Sequence, residues 1–189
     1  MVSYLPSWFG RLLRGMRAGT DGILFNDPAL AQAPASITVQ SAAFDDGGNI
    51  PRVHTSDGDM TSPPLAWHGV PAEAAGLVLL IEDADSPTPS PFVHLVAWGA
   101  AQLEALASGD CKGGANSAEL QLGRNGLLRR GYTPPDPPPG HGAHRYFFQV
   151  FALSQMPVFG RTPSRGEIAR TVRTHAIAKG MFEGRYERP

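Results

Sequence analysis

The sequence has only one cysteine, no long apolar run and almost no net charge. Because Cys111 is alone, the chain cannot form an internal disulfide or supply a second thiol to a cysteine-based metal site, and this fits a reducing compartment. No apolar segment reaches the roughly 18 residues that a transmembrane helix needs, so we expect no membrane span. These absences together favour a cytoplasmic protein.

The charges nearly cancel, since 16 Lys and Arg stand against 17 Asp and Glu, a formal net charge of -1. Such a chain has no overall field to attract nucleic acid or an anionic membrane, so we expect no nucleic-acid partner and only local capture of a charged ligand. The length of 189 residues fits a single domain, which we place at 21–189, after an N-terminal segment at 1–20.

The N-terminal segment 1–20 has apolar residues at helical spacing and arginines on the opposite side. The apolar positions are Leu5, Trp8, Phe9, Leu12, Leu13 and Met16. This pattern predicts an amphipathic helix of about three turns, with Pro6 in its first turn, and the arginines interrupt any signal-peptide core. Its apolar face could pack on the domain or on a second copy of the chain, giving a homodimer, or could lie on a membrane surface.

The 22 glycines and 18 prolines make up about a fifth of the chain and indicate short strands joined by many turns. The strands are predicted at 37–44, 77–81, 93–98 and 146–153, and the run 77–81 is apolar throughout, as in a strand buried on both faces. Ser164 and Glu167 have the spacing of a helix start, and helical spacing of apolar residues continues to Ile177. We predict a mainly β fold, an antiparallel β-sandwich, with one helix at each end.

Two aspartates, Asp83 and Asp85, follow the buried apolar run and precede a proline-rich turn that leads to His94. Side chains two residues apart in a strand point the same way, so both carboxylates should face one pocket. The short turn should bring His94 back beside Asp83. A neighbouring carboxylate would raise the pKa of His94 and make the ring a cationic donor for an oxyanion.

A second polar cluster lies in residues 131–148, where glycines and prolines shape a loop before an apolar strand. Strand alternation places His144 and Tyr146 on one face and Arg145 on the other. We therefore expect His144 and Tyr146 to act together as donors, and Arg145 to pair with an acid in a structural role.

These segments resemble the phosphatidylethanolamine-binding protein family, also called Raf-kinase-inhibitor-like, and most closely its bacterial branch. Four stretches carry the resemblance: "TSPPLAWHGVP" (61–71), "LLIEDADSP" followed by His94, "GRNGLLRRGY" (123–132) and "PPDPPPGHGAHRYFFQVFAL" (134–153). Together they span about half of the residues in the family's order. A histidine, arginine and tyrosine in sequence after a proline-rich loop is a specific feature of that family.

The resemblance implies a β-sandwich whose small pocket binds a phosphate-like anion, either a phospholipid head group or a phosphorylated ligand. It implies a binding protein with no cofactor, not an enzyme, with a kinase-inhibitor-like regulatory role. Residues in the positions of the family's ligand site are Asp83, Asp85, His94, His144, Tyr146, Pro137 and Pro138. Asn125 and Gly131 fall on positions that shape a loop. Pro134 stands where the family has a glycine and offers no N–H to an anion, which predicts weaker binding.

Three other interpretations remain open on sequence alone. An aspartate and histidine near Ser86 could make a hydrolase, although the nucleophile-elbow motif is missing. The carboxylates with His94 and His144 could ligate a metal, although their spacing is irregular. A third reading is an interaction protein with a vestigial pocket, which works through its N-terminal helix.

Overall fold

The computed structural model of the chain describes residues 6–113, 120–159 and 162–188. The helices in these ranges are α1 (Ser7–Leu13) and α2 (Arg165–His175), and neither has the length and hydropathy to cross a bilayer. The strands are β1 (Thr38–Gln40), β2 (Gly48–Asn49), β3 (Leu65–His68), β4 (Gly76–Asp83), β5 (Phe92–Ala100), β6 (Ala105–Leu106), β7 (Leu120–Leu122), β8 (His144–Leu153) and β9 (Ala176–Tyr186).

The strands form two sheets. The smaller has the order β1-β3-β6 and is antiparallel, and the larger has the order β2-β9-β8-β4-β5-β7. The larger sheet is mixed, because β2 runs parallel to β9 while the other pairs are antiparallel. The mainly β prediction is therefore confirmed. The predicted antiparallel sandwich is met only in part, since both sheets are open and the larger one is mixed.

The central strand β4 is buried along its whole length, as its apolar run predicts. Side chains on one face, such as Leu79, join the core that includes Trp67 of the smaller sheet. Side chains on the other face, such as Leu80, join a second core with Val172 of α2. Because β4 is covered on both sides, its last residue emerges from the middle of the protein rather than from an edge.

Helix α2 begins with a complete capping box, in which Ser164 N donates to the Glu167 carboxylate at 2.9 Å and the Ser164 hydroxyl accepts from Glu167 N. The helix ends at His175, and β9 starts at once. The prediction that helix continues through Ala176 and Ile177 is wrong. Burial alternates along most of β9, which is the pattern of a strand with one face on the core.

Helix α1 covers two turns rather than the predicted three, and Leu5 of the predicted apolar face lies outside the described residues. The helix packs on its own domain through Gly10, where a Cβ atom would come within 2.1 Å of the Pro139 carbonyl oxygen. Arg14 Nε also donates to the Gly140 carbonyl at 2.8 Å. This side of the helix therefore lies against the loop at 139–140.

A buried carboxylate ties several elements to β4. Glu82 is fully buried, and its Oε2 accepts from Leu24 N at 2.8 Å and from Gln149 Nε2 at 2.9 Å. Arg165 at the start of α2 donates through Nε to Glu82 Oε1 at 2.9 Å. This arginine compensates a charge that has no access to water, so the pair fixes α2 against the sheet.

We expect the Arg165→Met variant to lose about 2 to 3 kcal/mol of unfolding free energy, because the Glu82 charge would stay buried without its cation. Urea unfolding followed by circular dichroism measures the loss. The matched control is Arg173→Met, whose partner Asp27 lies in a more exposed pair and whose loss should stay below about 1 kcal/mol. Equal losses in the two variants would contradict the role assigned to Glu82.

Candidate functional site

A cavity of about 560 Å³ opens where β4, β5 and β8 meet at one end of the larger sheet. Its polar floor includes Asp83, His94 and His144, so the structure brings together three of the four charged or imidazole side chains that the sequence placed in one pocket. The walls are mainly apolar, and they include Phe9, Leu13, Phe92, Leu127, Pro137 and Pro138.

Strand pairing explains how the first residues converge. Asp83, the last residue of β4, lies directly opposite Tyr146 of β8. His144 stands two residues before Tyr146 and therefore shares its face of the sheet. The alternation predicted from the sequence holds, and the two side chains lie side by side with ring centroids 6.4 Å apart.

His94 reaches the same floor through a β-bulge. The register between β4 and β5 pairs Ile81 with Leu95 and Glu82 with Val93, so His94 is the extra residue and has no partner on β4. A bulge redirects the side chain of its extra residue and twists the strand locally. The histidine is thereby placed on the cavity side rather than in the core behind the sheet.

A continuous chain of hydrogen bonds runs from Asp83 to helix α1. Asp83 Oδ2 lies 2.8 Å from His144 Nδ1, and His144 Nε2 lies 2.6 Å from His141 Nδ1. His141 Nε2 lies 2.8 Å from the carbonyl oxygen of Leu13. The other carboxylate oxygen, Asp83 Oδ1, accepts from Asp85 N at 2.8 Å. The chain connects the cavity floor with the last turn of α1.

These three hydrogen bonds require three protons. The Leu13 carbonyl only accepts, so His141 must donate from Nε2, and each of the other two bonds needs one proton of its own. Two neutral rings beside an ionised Asp83 would supply only two protons. Burial chiefly lowers the pKa of His141, which is therefore the neutral ring, and the additional proton belongs to the bond between His144 and Asp83. The Asp83–His144–His141 group then has no net charge.

Asp85 does not face the cavity, contrary to the sequence prediction that it points the same way as Asp83. The chain turns after Asp83, whose carboxylate caps Asp85 N, and strand alternation ends there. Asp85 instead receives Arg145 Nε at 2.7 Å and Arg17 Nη1 at 3.0 Å. Burial acts to raise the pKa of Asp85, but the hydrogen bonds from both arginines outweigh it and lower the pKa to about 2. The structural pairing predicted for Arg145 is confirmed.

His94 is a neutral ring rather than the cation expected from the sequence. Its Nδ1 lies 2.7 Å from the Thr133 carbonyl oxygen, which fixes the proton on that nitrogen. Complete burial lowers the pKa of His94 and outweighs the opposing effect of the Asp83 charge. A neutral His94 therefore presents Nε2 as a hydrogen-bond acceptor.

Tyr146 carries a hydroxyl that has no hydrogen-bond partner among the described residues, although the side chain is 1% exposed. Its ring packs edge-on against His94, with centroids 5.1 Å apart. Burial raises the pKa of Tyr146 well above its usual value, and the charge of Asp83 adds to the effect, so the hydroxyl stays protonated. Tyr146 is not among the residues that line the cavity, so the structure places this predicted site residue next to His94 and not on the cavity surface itself. A buried donor without a partner costs free energy.

Three prolines of the loop before β8 lie at the cavity wall. Pro137 and Pro138 line the cavity, and Pro134 lines it as well. Asn125 shapes its loop, since its amide donates to the Gly131 carbonyl at 2.9 Å. Gly131 has a φ of +92°, which favours glycine.

The arrangement does not assemble the two alternative chemistries considered above. The hydroxyl of Ser86 is engaged by Thr88 at 2.7 Å and by Phe92 N at 3.2 Å, and no imidazole is among its partners in the described residues. Of the four residues proposed as metal ligands, Asp85 is bound to arginines, while Asp83, His94 and His144 lie together at the cavity. Across the described ranges no group of three or more His, Cys, Asp or Glu could hold a metal ion.

Some cavity residues were not assigned to the site from sequence. Phe9 and Leu13 were recognised as an apolar helix face, but nothing local in the sequence said that this face covers the cavity. Arg188 near the end of β9 bonds to Asp136 and to Ser56, which both line the cavity. That arginine is distant in sequence from its partners, and only the fold brings them together.

Comparison with known proteins gives a consistent match. The family model described as phosphatidylethanolamine-binding protein matches residues 40–187. A UPF0098 protein of Pyrococcus abyssi is 33% identical over 150 residues, which is 78% of this chain and 84% of that protein. A UPF0098 protein of Aquifex aeolicus is 33% identical over 168 residues, or 88% and 97% of the two chains.

Solved structures show the same fold. A putative phosphatidylethanolamine-binding protein homolog from Chlamydia trachomatis, CT736, is 29% identical with a TM-score of 0.73, and the match covers 82% of this chain and 99% of that one. YbcL of E. coli is 24% identical with a TM-score of 0.76, covering 82% and 100%. These similarities describe the fold, and the chemistry of the cavity has to be argued from the residues that line it.

The proton count can be checked by NMR on protein with 15N-labelled histidine and 13C-labelled aspartate at pH 7. We expect His94 to be neutral with its proton on Nδ1, and we expect three protons to be shared among Asp83, His144 and His141. An ionised Asp83 together with two neutral rings would contradict the count, and a cationic His94 would contradict the effect of burial.

Proposed function

The chain belongs to the phosphatidylethanolamine-binding protein family, and from this premise and the geometry of the cavity we propose that it binds a small phosphate-bearing ligand there, a phospholipid head group or a phosphorylated small molecule. The observation that carries the proposal is the buried Tyr146 hydroxyl without a partner in the described residues, beside the ring of His94. One group offers a proton and the other accepts one.

A phosphate group complements this pair. Its unprotonated oxygens accept from the Tyr146 hydroxyl, and a phosphate monoester that keeps one proton can donate to His94 Nε2. A phosphodiester has no such proton, so His94 would have to gain one to bind it. The carboxylate of Asp83 does not repel the ligand as a full charge, because its proton-sharing group with His144 and His141 has no net charge.

The apolar walls set the size and character of the ligand. About 560 Å³ is more than a free phosphate fills, and Phe9, Leu13 and Phe92 offer hydrophobic contact above the polar floor. A charge-assisted hydrogen bond contributes about 1.5 to 3 kcal/mol, so one or two of them give modest affinity after the cost of association. We therefore favour a ligand with an apolar part as well as a phosphate. A regulatory role of the bound protein is consistent with this function and stays a proposal.

Tyr146→Phe tests the proposal most directly, because it removes only the unpartnered hydroxyl. We expect the variant to bind phosphoethanolamine about ten-fold more weakly in isothermal titration calorimetry, while the unfolding free energy stays the same or rises. The matched control is Tyr132→Phe, whose hydroxyl donates to the His54 carbonyl at 2.9 Å. That control should lose stability and keep its affinity. Unchanged binding in Tyr146→Phe would refute the proposal.

The lowered pKa of His94 predicts a pH dependence for a phosphodiester ligand. Bound anion favours the charged ring and raises its pKa, so binding takes up a proton between the pKa of the free protein and that of the complex. Affinity for glycerophosphoethanolamine, whose phosphate does not titrate near neutral pH, should be highest at low pH and decline as pH rises through this window. Titration calorimetry in two buffers of different ionisation enthalpy measures the proton uptake, and an affinity independent of pH between 5 and 8 in roughly physiological salt would count against it.

A further inference from the structure

Six exposed apolar side chains lie in segments that also line the cavity, and two of them, Met60 and Leu127, are part of its lining. Trp8 is 59% exposed, Leu12 73% and Leu128 78%, and Met16, Met60 and Leu127 are also exposed. We call these six residues the apolar rim. They come from three separate segments, and each segment also contributes residues to the cavity wall. Clustered exposed apolar residues of this size mark an interaction surface rather than ordinary surface scatter.

Helix α1 divides its apolar face between the cavity and the solvent. Phe9 and Leu13 line the cavity, while Trp8 and Leu12, one turn apart, point outward with Arg11. Packing on the domain therefore explains only half of the apolar residues that the sequence pattern singled out. Trp8 touches the Phe9 ring edge-on, with centroids 5.9 Å apart, but more than half of its surface stays exposed.

Two rim residues have a backbone conformation that disfavours their own side chains. Met60 has a φ of 59° and Leu128 a φ of 60°, and in the described residues these are the only non-glycine positions with positive φ. Glycine would adopt the same conformation without strain. A large exposed apolar side chain at each of these positions has two costs, since the backbone is strained and apolar surface contacts water. These costs indicate a function outside folding.

The loop that carries Leu127 and Leu128 is held rigidly. Asn125 Oδ1 accepts from Leu127 N at 2.9 Å and from Arg129 N at 3.1 Å. Leu128 N donates to the Asn125 carbonyl at 2.9 Å, so the turn is closed on itself. The two leucines are presented outward by hydrogen bonds rather than exposed by fraying.

Positive charge accompanies two of the three segments of the apolar rim, while the third carries an exposed acid, Asp59, next to Met60. Residues 6–18 contain three arginines and no acid, and residues 120–135 contain three arginines and no acid, in a chain whose net charge is -1. One of the six, Arg17, is paired with Asp85. Of the others, Arg11 and Arg129 are exposed, and Arg129 also lines the cavity. An apolar surface with arginines at its border complements the acyl and anionic head-group layers of a membrane surface.

We propose that the apolar rim docks this protein on an anionic phospholipid bilayer, with the open side of the cavity facing the lipids. Trp8, Leu12 and Leu128 enter the boundary between head groups and acyl chains, and the bordering arginines contact lipid phosphates. A second copy of the chain is a poorer occupant, because a symmetric dimer through this face would bring the arginine-rich segments of both copies together. The proposal does not depend on which ligand the cavity holds.

Trp8 is a built-in reporter, since Trp67 and Trp98 are both buried. We expect its fluorescence to shift to shorter wavelength, and the protein to sediment, with vesicles that contain phosphatidylglycerol. Vesicles of phosphatidylcholine alone should bind less, and salt should weaken binding because the arginine contribution is screened. No shift and no sedimentation at low salt would overturn the proposal.

Variants separate docking from folding. Trp8→Ser with Leu12→Ser should reduce vesicle binding about ten-fold or more. Leu128→Gly relieves the backbone strain, so it should keep or raise the unfolding free energy and keep phosphoethanolamine affinity while it weakens vesicle binding. The matched control is Val158→Ser, which removes an 87% exposed apolar side chain that does not line the cavity, and which should bind vesicles like the wild type.

Two outcomes would replace the proposed occupant. If Val158→Ser weakens sedimentation as much as Leu128→Gly, the binding is general hydrophobic adsorption and the apolar rim has no special role. If the Trp8 emission shifts with rising protein concentration in the absence of vesicles, the surface covers a second copy of the chain. Loss of phosphoethanolamine binding with intact vesicle binding would refute the cavity function alone.

Discussion

The arrangement of the cavity depends on the burial of one carboxylate, Asp83, at the end of the central strand. The residue is 4% exposed, and an isolated charge in such a place would cost several kcal/mol. Both of its oxygens are satisfied, one by Asp85 N and the other by His144. Once His144 is fixed in this way, its second nitrogen holds His141, and His141 holds the end of α1. Compensating one charge thus positions the floor, one wall and the helix beside the opening.

Asp85, the neighbouring acid, has a structural role outside the cavity. Asp85 lies outside the cavity and joins Arg145 of β8 to Arg17 in the segment after α1. Arg17 also donates to the Ala143 carbonyl at 2.9 Å. The two aspartates of one short motif therefore have different roles, since Asp83 organises the cavity floor and Asp85 fastens the N-terminal segment beside it. The N-terminal segment is consequently part of the site's architecture and not an appendage.

Features that depend on residues close in sequence could be predicted, and features that depend on the pairing of distant segments could not. Burial of β4, the shared face of His144 and Tyr146, and the Ser164 cap depend on residues close in sequence, so local patterns reveal them. The bulge at His94 depends on how β5 pairs with β4, and no pattern within β5 reports it. The turn at Asp85 was missed because alternation was extended past the strand end, although an aspartate that caps its own turn is a known device.

The strand β9 shows a signal that was present and misread. Ala178, Gly180, Phe182 and Gly184 alternate with longer polar or flexible side chains, which is the spacing of a strand. Gly180 is required because a Cβ there would lie 2.1 Å from the Ile37 carbonyl oxygen. The helical spacing before Ala176 masked the change of period, since the helix gives way to the strand without a loop.

Charge compensation also explains why carboxylates are present in a cavity that we propose binds a phosphate. Asp83 is bonded to His144, which is bonded in turn to His141, and Asp136 is bonded to Arg188, so neither carboxylate presents an uncompensated charge. In the proposed complex the phosphate is selected through directed hydrogen bonds, with the Tyr146 hydroxyl as donor and His94 as acceptor, rather than through a positive field. Directed hydrogen bonds in a small polar floor give specificity but little affinity, and the apolar walls must supply the rest. An amphiphilic ligand satisfies both parts at once, and it is the kind of ligand that a protein seated on a bilayer would meet.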